Sequence, residues 1–346
     1  MRIRAELCDA NVVVVAHSPV QDPVSWEDYR RAAWQVMSVM EVELSGEKAV
    51  IKPNATVAER YANPDSGIGT HPAFVRGLVE YLHRHGVRPG GIYVLEDPRD
   101  TDDNEPRHWR GTGYVELAQD TGAKLRCPST YSCVSKAVPR PLVHRRLNVS
   151  RLAVSPNTVL FNVPKLKTHN LSITTLSMKN LMGTVNVFDR HFCSEAWREM
   201  PSEVAQNRRP RSEWMTSSTH AQWQEGLARR LADTAQVVQP HLNVVEGIVA
   251  REGTGFERGA NRALGLVVAG VNMVAVDSVA SYLMGFDPRH LIYLRVAAEA
   301  GLGCSDLGGL RIYMVQDGSL APCPDLELLR AQPPLRVISN IAGEQQ

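Results

Sequence analysis

Lys165, Lys167 and His169 stand at every second position of Asn162-Val-Pro-Lys-Leu-Lys-Thr-His-Asn170, directly after the apolar run Val159-Leu-Phe161. Along an extended chain, side chains at i, i+2 and i+4 point to one side, so two ammonium groups and an imidazole share a surface. Ammonium groups held close repel. That repulsion lowers the pKa of at least one and yields a neutral amine that can serve as base or nucleophile, while its neighbour holds a carboxylate or phosphate. His169 and Glu246 would exchange protons near neutral pH. The chemistry this suggests is a proton-transfer step of the lyase or isomerase type on a small anionic metabolite, with Lys165, Lys167, His169 and Glu246 as the catalytic set.

Other reactive side chains stand in the same relation to apolar runs. Lys52 and Asn54 lie in Ile-Lys-Pro-Asn, Glu96 and Asp97 follow Ile-Tyr-Val-Leu, Asn162 follows Val-Leu-Phe, and Glu246 follows Leu-Asn-Val-Val. All fall at carboxyl ends of expected strands, the edge of an open α/β sheet where ligands bind. Pro53 and Pro164 stiffen two of these segments. The substrate-binding set expected here is Lys52, Asn54, His71, Asn162, Lys179 and Asn180. His71 belongs to Gly67-Ile-Gly-Thr-His-Pro72, a loop entering a helix, where free backbone N–H groups hold anions; Thr70 as a simple helix cap explains the same residues. Lys179 in a last helical turn over Ile173–Met182 is explained equally by dipole complementation. Asp277, at the start of an expected helix, reads as a cap or dipole complement supporting the site rather than as a catalyst.

An alternative uses His71, His169 and one of Glu96, Asp97 or Glu246 to hold a single divalent ion that activates water or oxygen, as in a hydrolase or oxygenase. The spacing is not diagnostic and the neighbouring lysines oppose a cation, so no cofactor is favoured. A second alternative is a non-catalytic binding or accessory protein. Gly-x-x-x-x-Gly-Lys is absent and Gly253-Thr-Gly255 lacks the dinucleotide fingerprint. Six dispersed cysteines without a Cys-x-x-Cys pair predict reduced cytoplasmic thiols and no iron–sulfur cluster.

The elements that must position these residues follow from periodicity. Strands are expected at Val12–Ala16, Ala49–Lys52, Ile92–Leu95, Ala123–Arg126, Val159–Val163, Leu242–Val245, Leu264–Ala269 and Arg311–Val315. Helical spacing runs through Trp26–Met40 and Phe74–Leu82, and helices are expected near Trp223–Val238, Val274–Met284 and Leu291–Ala300. The result is an α/β protein with a mostly parallel or mixed sheet and flanking helices. Residues 1–183 form its first part, 184–240 a helical insertion or lid, and 241–346 a smaller α/β part completing the fold. A net charge of +1 over 346 residues gives no general attraction to nucleic acid, and Val12–Ala16 is too short for a membrane span or signal core.

Six blocks in order resemble the domain-of-unknown-function family 362: Ile-Lys-Pro-Asn (51–54), Thr-His-Pro (70–72), Asn-Val-Pro-Lys-Leu-Lys-Thr-His (162–169), Met-Lys-Asn-Leu-Met-Gly (178–183), Asn-Val-Val-Glu-Gly-Ile-Val-Ala (243–250) and Ala-Val-Asp-Ser-Val-Ala (275–280). The resemblance runs from about residue 48 to 303. It implies that Lys52, His71, Lys165, Lys167, His169, Lys179, Asn180, Glu246 and Asp277 occupy the family's motif positions. Members are commonly described as iron–sulfur proteins because many carry an added ferredoxin-like module; this chain lacks that cysteine run, so the label is not carried over. The resemblance names no reaction.

Overall fold

A computed structural model describes residues 1–55, 62–99, 101–102, 106–190 and 217–339. Its strands are Val12–His17 (β1), Lys48–Pro53 (β2), Ile92–Leu95 (β3), Lys124–Arg126 (β4), Cys133–Ala137 (β5), Arg146–Ser150 (β6), Thr158–Val163 (β7), Lys165–His169 (β8), Ile173–Thr175 (β9), Leu242–Arg251 (β10), Asn261–Gly270 (β11), Arg311–Gln316 (β12) and Ser319–Pro322 (β13). The helices are Trp26–Val39 (α1), Pro72–Arg84 (α2), Tyr114–Thr121 (α3), Arg151–Val154 (α4), Ser177–Asn180 (α5), Ser217–Val237 (α6), Met273–Leu283 (α7) and Ile292–Glu299 (α8). Of the expected 184–240 insertion, α6 is described, while 191–216 lies outside the described residues. Among the described residues no helix is long and apolar enough to cross a membrane.

One mostly parallel sheet dominates, in the order β13-β12-β1-β11-β10-β7-β2-β3-β4, with β8 extending the line of β7 along β10 and β9 paired to β8. Strands from the first and last thirds of the chain therefore share one sheet: β1 pairs with β11 and β12. β5 and β6 form a separate antiparallel pair. Their polar alternation gave no expectation of strands.

Alternation along the strands splits the apolar residues between two faces. Val12, Val14, Ile51, Val159, Phe161 and Val244 pack with α1 and α2. Val50 and Leu160 pack instead with α6 and α8, and Val13, Val15, Leu166 and Val245 pack with α7. Ser25 and Asp28 close a capping box on α1. At α2 the cap is His71 rather than Thr70: Nδ1 of His71 accepts the Ala73 N–H at 3.1 Å. Thr70 is one residue early, and its hydroxyl donates to Val163 O at 2.7 Å and accepts from Asn54 N at 2.9 Å, stitching the loop to β2 and β7.

Candidate functional site

β2, β7 and β10 lie side by side, with Lys52 opposite Asn162 and Asn162 opposite Asn243. Two positions separate Lys52 from Val50 and Asn162 from Leu160, so this row projects on the face covered by α6 and α8. The Lys52 amine is fully buried and donates to Glu96 Oε2 at 2.7 Å, Pro53 O at 2.6 Å and Asn180 Oδ1 at 3.3 Å. Asn180 returns its amide to Lys52 O and Asn162 Oδ1, and Asn162 donates to Asn243 Oδ1 and Ser177 O. A lysine, a glutamate and three amides thus form one buried chain of satisfied groups.

Glu246 and Lys165 are paired three residues farther along. An odd step reverses the face: Lys165 Nζ meets Glu246 Oε2 at 2.6 Å, 5.8 Å from the Tyr29 ring centre of α1. The same carboxylate accepts the His71 N–H at 3.2 Å and the Ile248 N–H at 3.0 Å. His71 stacks on Tyr29 with ring centres 3.9 Å apart, and its Nε2 lies 3.2 Å from Asp65 Oδ1. The expectation of a single cleft therefore resolves into two ion-paired groups, one on each face of the sheet. Burial draws the Lys52 and Lys165 amines downward in pKa, and the carboxylate opposite each works against that shift.

Lys167 differs from both. Its amine is buried and donates to a backbone carbonyl, Ile68 O, at 2.8 Å; among the described residues no carboxylate forms an ion pair with it. Burial, with Lys179 and Lys165 adding like charge, pulls its pKa down to about 7. Arg251, opposite Lys167 in the ladder, acts in the same direction, while Glu96 opposes the shift. His169 follows on β8: Nδ1 accepts the Leu171 and Ser172 N–H groups at 3.0 and 3.2 Å, so Nε2 carries the proton of the neutral ring. Burial, Lys179 and Lys167 hold the ring well below its usual pKa. His169, Asn170 and Lys179 are half-buried, while Lys167 is buried.

Lys179 reaches this cluster through a different element from the one expected. Ile173–Met182 is not one helix: Ile173–Thr175 is β9, and α5 is a single turn from Ser177 to Asn180. Asp277 caps that turn, accepting Ser177 N–H at 2.7 Å and Met178 N–H at 3.0 Å. It sits within α7, whose own cap is Asn272. Burial raises Asp277 to about 7 against the pull of those donors. Asn54 lies beside Thr70 with its side-chain oxygen buried and unpartnered. Asp97 binds Arg190 at 2.7 Å and the Thr101 N–H at 2.9 Å.

Metal-ligating residues do not gather among the described residues in groups of three or more. His71 has both ring nitrogens engaged, and Glu96 and Glu246 each hold a lysine. Cys8, Cys133, Cys304 and Cys323 are free thiols, Cys127 is buried, and Cys193 lies outside the described residues.

Sequence reasoning passed over Arg251, Asn243 and Gly183. For Arg251 the only signal is its place at the end of β10. Gly183 is required for space: a Cβ there would stand 2.0 Å from Glu96 Oε1 and 2.6 Å from Lys52 Cε. Gly183→Ala is expected to displace the Lys52–Glu96 pair and lower stability by about 1–3 kcal/mol, the usual range for overpacking. Urea unfolding measures this, and an unchanged midpoint would show that the pair yields without loss.

The family model described as a domain of unknown function, DUF362, matches residues 49–282, which include both ion-paired groups and the Lys167 cluster. The chain is also similar to the thylakoid-associated protein sll1697 of Synechocystis sp., at 25% identity over 259 residues, covering 74% of this chain and 69% of that protein.

Proposed function

The chain belongs to the DUF362 family, and from that starting point we propose that it is an enzyme acting on a small anionic metabolite, a carboxylate or phosphate, by lysine and histidine proton transfer of the lyase or isomerase type. The observation that carries this reading is the buried Lys167 amine, held by a backbone carbonyl with Lys179 and Arg251 adding like charge. Buried cations are stable when an opposite charge meets them. Lys52 and Lys165 have theirs in Glu96 and Glu246; the Lys167 cluster is complete with an anion entering past Lys179 and His169.

Roles follow from the partners. Lys167 is the group that changes charge near neutral pH. His169 presents Nε2–H to the ligand, and Lys179 binds the anion. Lys165–Glu246 and Lys52–Glu96 are the rigid walls, and Asn162, Asn180 and Asp277 hold α5 in place. The finer placement, a cytoplasmic enzyme working without nucleic acid or membrane, belongs to the same reading.

The test is thermal unfolding with inorganic phosphate, small mono- and dicarboxylates, and sugar phosphates. A binding anion at a hundred times its Kd stabilises by about 2.7 kcal/mol, and the melting temperature of the parent protein should rise while that of Lys179→Met should not. If no anion moves the parent protein, or if Lys179→Met responds equally, the reading fails.

A further inference from the structure

The three buried lysines of β2 and β8 differ in what their amines touch. Lys52 and Lys165 are locked as cations against carboxylates 2.7 and 2.6 Å away. An amine so bound has no lone pair to offer. Lys167 donates to Ile68 O and stands in the field of Lys179 and Arg251, and its own charge lowers the proton affinity of the His169 ring two positions on. A desolvated lysine next to a second cation is the arrangement in which an amine stays neutral and nucleophilic at physiological pH.

We propose that Lys167 is a carbonyl-reactive nucleophile that condenses with a small oxo acid to form a Schiff base, with Lys179 holding the acid's carboxylate. This deepens the proposed function, on which it rests, by assigning the substrate class and a covalent step. The amine lone pair attacks the carbonyl carbon, forming the C–N bond as the C=O π pair moves to oxygen. The first amine proton passes to that oxygen to give the carbinolamine. The nitrogen lone pair then expels hydroxide as the imine forms, and the second amine proton completes the departing water. The sum is amine plus carbonyl giving imine plus water, with no oxidant or reductant. His169, whose Nδ1 is occupied by two backbone N–H groups, has Nε2–H left to hydrogen-bond the oxygen as charge develops on it. A proton taken up from solvent on the imine nitrogen gives the iminium, which draws electrons from the adjacent carbon, the activation that lyase and isomerase steps on oxo acids need.

The experiment incubates the whole protein near pH 7 with pyruvate, glyoxylate or 2-oxoglutarate and sodium cyanoborohydride, followed by peptide mapping. Parallel samples measure protection of Lys167 from acetic anhydride by lactate, an anion of the same kind without a carbonyl. The expected result is a reduced adduct on Lys167 well above that on surface lysines. It should be absent in Lys167→Arg, and lactate should compete with it. In Lys179→Met the pH of half-maximal acetylation at Lys167 should move upward, because a neighbouring cation is gone; from a starting value of about 7, a shift of one unit reduces the neutral amine at pH 7 by about fivefold. A merely structural Lys179 would leave that midpoint unmoved, which counts against the assignment. Protection by lactate with no adduct from any of the three oxo acids overturns the nucleophile and leaves the anion site standing. No protection and no adduct overturns both.

Discussion

Lys167→Met is expected to fold, to melt no lower than the parent protein, and to lose anion binding on the order of a hundredfold, the scale of removing one partner from a buried charge pair. Methionine fills nearly the same space, and the group it replaces is a buried amine that no carboxylate holds among the described residues. Exchanging poorly compensated buried charge for apolar volume is often stabilising by about 1–4 kcal/mol. The sign with pH is fixed. Lys167 is drawn from 10.5 to about 7 in the folded protein, so between those values the unfolded chain binds more protons. Stability contributed by this group therefore rises with pH across that window, and the burden is complete below about 7. Lys167→Met should remove that rise. Denaturant midpoints from pH 6 to 10, measured beside anion titrations, check both parts. A variant that melts lower and binds anions as the parent does would make Lys167 a structural residue.

The opposite outcome is expected at Lys165. Its removal leaves Glu246 buried and without its counter-charge, a loss of about 3–5 kcal/mol, so Lys165→Met should be strongly destabilised or recovered largely as misfolded protein. Lys165→Met combined with Glu246→Leu removes both charges and should regain most of that loss. A double-mutant cycle by urea unfolding gives the coupling. If the two single changes simply add, the 2.6 Å contact contributes nothing to the fold. Two lysines two positions apart on β8 thus carry predictions of opposite sign, because one faces a carboxylate and the other a carbonyl.

The core of the sheet was legible because β1, β2, β3, β7 and the first half of β10 carry short apolar runs rich in Val and Ile, as strands buried on both faces do. The alternation of Lys165 and Lys167 was legible too: both reach toward the segment 68–71, directly or through Glu246, while Leu166 packs with α7. The division into two faces could have been read from parity, since Asn162 and Lys165 are an odd number of positions apart on a continuing line of strands. Position at the carboxyl edge drew attention to what these residues share and away from the side each takes. The lysine–carboxylate pairings were not legible. They depend on registers between strands 44 and 81 residues apart in sequence, which no local pattern encodes. α5 was misread because a strand and a single helical turn, joined at Leu176, together imitate one helix, and the cap that defines the turn comes from Asp277, ninety-nine residues beyond Met178.

Three of the buried carboxylates around this edge are each grasped by two main-chain donors: Glu96 by Ala55 and Asp97, Glu246 by His71 and Ile248, Asp277 by Ser177 and Met178. Those six amides are built-in reporters. Their nitrogen-15 resonances and deuterium-exchange rates follow the charge of the acceptor they serve, so the protonation history of the interior can be observed from the backbone, carboxylate by carboxylate, without labelling a side chain or knowing the substrate.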